Sequence, residues 1–130
     1  MGEEKINLPS LSSGIDVFEN FIQSKSILRL LIEQIKKDHQ SAGIPIKILL
    51  NTKYSFIELS DLLVQKYLTV SPTQLSQLLY RVDISENQLV KQMNSPGLDL
   101  KVIAEMIIKR ELQKVILRLK YSAANNESNF

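Results

Sequence analysis

The chain contains no cysteine, so neither disulfides nor thiolate metal sites can hold the fold, and packing must do so. It has a single histidine, His39. Metal binding would therefore rest on carboxylates, which suit hard cations. Of these, Glu58 reads as a helix-capping residue sharing a face with Asp61, while Asp83 and Glu86 flank a turn. No Glu-x-x-His pair is present, which argues against a di-iron bundle. The four glycines, at positions 2, 14, 43 and 97, are scattered, whereas a phosphate cradle needs them close together so that the backbone can approach. There is no Gly-x-Ser-x-Gly element, and a nucleophile without an adjacent base is weak.

Long apolar runs are missing too. The richest stretch, Ile27-Leu28-Arg29-Leu30-Leu31-Ile32, is short and carries a charge, against the roughly 20 residues that a membrane-spanning helix requires. The first residues are polar and lack the apolar core of a secretory signal. Together these absences predict a cytoplasmic, non-enzymatic protein with no cofactor, no catalytic or metal site and no membrane span.

What is present is a globular composition. The chain has 130 residues, of which 44% are hydrophobic and 23% charged, enough for one domain with a real core. Net charge is only +2. Residues 1–98 balance to zero, and the excess lies in the last predicted helix, with Lys101, Lys109, Arg110, Lys114, Arg118 and Lys120. A dedicated nucleic-acid binder shows a stronger basic face.

Apolar spacing predicts helices throughout. Ile15, Phe18, Phe21, Ile22, Leu28, Leu31, Ile32 and Ile35 mark one long helix from about residue 15 to His39. Lys36, Lys37 and a solvent-exposed His39 would complement its C-terminal dipole, and Gly43 and Pro45 would stop it. Residues 44–50 alternate like a strand at Ile44, Ile46 and Ile48, but no partner strand is evident, and a short helix with Pro45 in its first turn is expected. Three capping boxes follow: Ser55-x-x-Glu58, Ser71-Pro72-Thr73-Gln74 and Ser85-Glu86-Asn87-Gln88. In each, the serine oxygen accepts from an orphan amide while Glu or Gln reaches back. Asn94-Ser95-Pro96-Gly97 reads as a turn. Asp99 then caps a second long helix to about Tyr121, with Glu105 and Lys109 paired on its outer face. No internal repeat is evident.

The segment Val70-Ser71-Pro72-Thr73-Gln74-Leu75-Ser76-Gln77-Leu78-Leu79 resembles the second helix of the helix-turn-helix in AraC-type regulators, in which a valine-serine-proline turn precedes a Leu-Ser-x-Leu pattern. The resemblance covers about residues 56–82, with Leu59–Leu68 as the supporting helix. It implies that Thr73, Gln74, Gln77 and Arg81 project from one face to contact DNA. The chain departs from the family in lacking its turn glycine, the small residue of its first helix and its second reading unit.

These readings converge on an all-α chain, a compact bundle of about five or six helices in which two long terminal helices pack with shorter middle ones. Residues 1–13 would form a flexible arm, 14–121 the helical domain and 122–130 a disordered polar tail. The expected role is a protein-interaction or structural module, with self-association as one form of it. Tyr54, Tyr67, Tyr80 and Tyr121 are residues of the type used at interfaces, and each alone is expected to edge the core with its hydroxyl in water. DNA binding through the 56–82 segment is the alternative.

Overall fold

The computed structural model describes residues 8–92 and 99–128, with side chains over 8–89 and 99–122. Among the described residues there are six helices and no strand: α1 (Ile15–Ile22), α2 (Lys25–Ser41), α3 (Phe56–Tyr67), α4 (Pro72–Val82), α5 (Glu86–Gln92) and α6 (Leu100–Ser128). The chain is the expected helical bundle, and none of its described helices is long and apolar enough to cross a membrane.

The last helix is the axis of the fold. Helices α2 and α3 make the largest packing contacts with α6, and α4 and α5 also rest on it. Between Ile103 and Ile116 its buried positions run around most of the circumference rather than along one stripe. A helix surrounded on several sides has no solvent face to keep polar, so its amphipathicity fades. Each fully buried Ile, Leu or Phe contributes on the order of 2 kcal/mol, and Ile103, Ile107, Leu31, Leu63 and Phe56 are among those with no exposure.

Local signals set the helix starts. Ser55, Ser71 and Ser85 each accept from the amide three residues on (3.1, 3.1 and 3.2 Å), and Glu58, Gln74 and Gln88 reciprocate. Asp99 Oδ1 accepts from the Lys101 and Val102 amides at the head of α6. Helix α2 ends as expected at Gly43, whose φ of 78° is left-handed. The Ile44 and Gly43 amides donate back to the His39 and Gln40 carbonyls at 2.8 and 3.0 Å, the paired pattern of a Schellman stop.

Four expectations need correction. The helix expected over residues 15–39 is two, because Ser24 caps α2 by accepting from the Ile27 amide at 3.4 Å. The apolar spacing lapses at the same place, across Lys25 and Ser26. Residues 44–49 form no helix. They carry no regular secondary structure, with Ile44 and Ile48 buried. Side chains hold the segment at its two ends: Gln74 Nε2 donates to the Gly43 carbonyl just before it, Lys36 Nζ donates to the Ile48 carbonyl, and the Leu49 amide donates to Tyr54 Oη. Helix α6 continues past Tyr121 to Ser128. Lys109 does not turn outward: its Nζ donates to the Leu11 and Ser13 carbonyls (3.3 and 2.8 Å) and lies 5.5 Å from the centre of the Phe18 ring. With Gln113 Nε2 donating to the Pro9 carbonyl, this fastens residues 9–13 to α6. The turn expected at Asn94–Gly97 lies outside the described residues.

Candidate functional site

Polar residues gather in two places, one sealed and one open. The sealed group lies where α2, α3 and α6 meet. Asp38 and His39 continue the buried face of α2 one turn past Ile35, Tyr67 ends the buried face of α3, and Glu111 lies among Ile107, Ile108 and Leu112 on α6. His39 is fully buried, at 0% exposure, which overturns the solvent-exposed histidine expected from its lysine neighbours. Its Nδ1 lies 2.7 Å from the Ile35 carbonyl, which can only accept, so Nδ1 carries the proton. Nε2 is then an acceptor, and Tyr67 donates its hydroxyl to it at 2.7 Å. Burial holds the imidazole neutral and lowers its pKa from 6.5 to about 4. Burial, reinforced by the nearby Glu111, likewise raises the Tyr67 hydroxyl well above its usual value.

Beside this pair lie Asp38, Glu111 and Lys114. Asp38 Oδ2 accepts from Gln34 Nε2 and Lys114 Nζ, both at 3.0 Å. Lys114 Nζ also donates to the Arg81 carbonyl at the end of α4 (3.2 Å) and lies 3.1 Å from Glu111 Oε1. That last contact has ion-pair distance without hydrogen-bond geometry. Read as a carboxylate, Glu111 would leave both oxygens without a donor at 0% exposure, a costly state. Burial first, and then its hydrogen bond to Asp38, push its pKa up to about 9 despite the opposing Lys114 charge. Glu111 is therefore a neutral acid donating to Asp38. Burial opposes ionisation of Asp38, but the hydrogen bonds from Glu111, Gln34 and Lys114 prevail and hold it below its usual range. One anion and one cation remain, tying α2, α4 and α6 together.

The open group is on α4, where the four residues of the helix-turn-helix resemblance lie. Thr73, Gln77 and Arg81 are exposed and, with Ser76 and Tyr80, line a shallow cleft of about 660 Å³ against Ser41 and Ala42. Gln74 is half-buried and differs from the other three. Its Oε1 accepts from the Ser71 amide and its Nε2 donates to the Gly43 carbonyl. The principal packing partners of α4 are α2 and α6, not α3.

Tyr80, 86% exposed, dominates this surface. It borders the cleft just described, a larger one of mixed lining, about 1190 Å³, reaching Ser10, Arg81 and Arg110, and an apolar one of about 540 Å³ lined by Leu75, Leu79, Ile84, Leu89 and Ile103. No group of three or more His, Asp or Glu side chains among the described residues is placed to hold a metal ion. No protein-family model, curated protein or solved structure matches this chain.

Proposed function

We propose that this chain is a non-enzymatic protein-interaction module whose binding surface is the C-terminal half of α4, anchored by Tyr80. The observation that carries this reading is the near-complete exposure of a tyrosine at the junction of three clefts, one of them apolar. Tyrosine and arginine are enriched at the energetic centres of interfaces because each offers a large contact area with a polar tip. The groups with the most perturbed acid–base chemistry, His39 and Glu111, are sealed from solvent and engaged with one another's neighbours, which favours a structural role for them.

The test is site-specific photo-crosslinking in cells, with a photoreactive phenylalanine analogue in place of Tyr80 and, as control, of exposed Lys47 in the segment between α2 and α3. The reading predicts a discrete protein adduct from position 80 and none from position 47. No adduct from position 80 overturns it.

Exposure of Thr73, Gln77 and Arg81 along one face also supports the DNA-binding alternative. Arg81 is, however, the only cation on α4, and phosphate neutralisation supplies most of the affinity for a duplex. Fluorescence anisotropy with a mixed-sequence duplex at low and near-physiological salt separates the two. Salt-sensitive binding, lost on Gln77→Ala with Arg81→Ala, would replace the protein-interaction reading with the DNA-binding one.

A further inference from the structure

We infer that the partner of the Tyr80 surface is a second copy of this chain, docked about a twofold axis so that each Tyr80 enters the apolar cleft of the other. The inference rests on the interaction reading above and names its partner. Its ground is that knob and hole lie side by side on one surface. Tyr80 stands at the rim of the cleft lined by Leu75, Leu79, Ile84, Leu89 and Ile103, and an isologous interface joins a patch to itself, so the patch must carry both halves of each contact.

Charge follows the same rule. Arg81 borders the clefts on one side of Tyr80, and Glu86, the first residue of α5, lines the apolar cleft on the other. Both are exposed, and neither has an ionic partner among the described residues. Insertion of Tyr80 into the partner's cleft carries the adjacent Arg81 up to the Glu86 on its wall. The symmetry then makes this ion pair twice.

Sedimentation velocity on the full chain, from low micromolar to near-millimolar concentration, tests the inference. A monomer–dimer equilibrium is expected, weakened about tenfold or more by Tyr80→Ala. Far-ultraviolet circular dichroism of that variant should be unchanged, since Tyr80 is in water in the monomer. Arg81→Glu and Glu86→Arg should each weaken association through like charges facing across the axis. An equimolar mixture of these two variants should associate again, because a heterodimer pairs glutamate with arginine at both contacts. A wild-type chain that stays monomeric overturns the inference, as does a dimer indifferent to these substitutions or a mixture that fails to recover. Cross-linking distinguishes this failure from that of the broader reading. A monomer that cross-links from position 80 to a different protein loses only the second copy as partner, whereas a monomer with no adduct loses both.

Discussion

Tyr67 ends α3 and Tyr80 lies in the last turn of α4, the next helix, yet they sit at opposite extremes, 2% and 86% exposed. Tyr67 satisfies the polar end of a buried histidine and fills core volume with its ring, so folding accounts for it completely. The Tyr80 hydroxyl makes no hydrogen bond among the described residues, and its ring adds nothing to the core. Folding does not account for a large aromatic surface held in water, and that contrast separates the part of the molecule that stabilises it from the part that is available to a partner. The largest expected effect tests this directly. Tyr67→Ala should cost about 4 kcal/mol in urea denaturation, from cavity formation and an orphaned His39 Nε2. Tyr80→Ala, measured below the concentration at which the chain associates, should stay within about 0.5 kcal/mol of wild type. Comparable losses would erase the distinction between the two regions.

A middle-sized effect tests whether the sealed polar group acts as a unit. Lys114→Met removes the cation that contacts both Asp38 and Glu111 and frees the Arg81 carbonyl. Breaking a fully buried pair costs about 3–5 kcal/mol. The Lys114 side chain is 22% exposed and water screens part of the loss, so about 2 kcal/mol is expected. Asp38→Asn in the Lys114→Met background should recover part of it, and additive losses in that double-mutant cycle would show that the two side chains act independently.

The regions also differ in how far the sequence discloses them. Ser55, Ser71, Ser85 and Asp99 were readable as caps because a cap is a local bargain between a side chain and an amide a few residues away. The left-handed stop at Gly43 is local in the same way. The break at Ser24 is local too, a serine cap coinciding with the lapse in apolar spacing across Lys25 and Ser26. Residues 44–49 were unreadable because the side chains that hold the segment, Gln74 at Gly43, Lys36 at Ile48 and Tyr54 at Leu49, reach it only after folding. The polar centre left a trace: Asp38 and His39 follow Leu28, Leu31, Ile32 and Ile35 at helical spacing, and Glu111 follows Ala104, Ile107 and Ile108. A strict reading of phase places all three in the core. The charges of Lys36 and Lys37 point the other way for His39, because cations in a last turn are usually solvated. The α4 surface yields less, since Thr73, Gln77 and Arg81 were readable as one exposed face, while the commitment of Gln74 to Gly43 depends on a loop that sequence cannot place.

The smallest effect per unit change is the pH dependence of the sealed group, which the open surface should lack. Glu111 holds its proton up to about pH 9 in the fold, whereas an unfolded glutamate releases it near 4.5. The native state therefore binds more protons than the unfolded state between these values, and stability falls as pH rises through them. His39 has the opposite sign. Unfolded, it gains a proton near 6.5, and folded only near 4, so stability falls as pH drops through that window. The two slopes oppose one another between about 4.5 and 6.5, and from there to the range below the tyrosine and lysine titrations Glu111 dominates. Stability should thus be flat in mildly acidic solution and decline by about 1 kcal/mol per unit on the alkaline side, close to the limit for one proton. Glu111→Gln retains the shape and a donor for Asp38 without the titration, so urea midpoints of this variant from pH 6.5 to 8.5 should lose the decline. A decline that persists in Glu111→Gln would mean that the proton resides elsewhere, and that the neutral acid at the centre of α6 is the wrong description of how Asp38 is held.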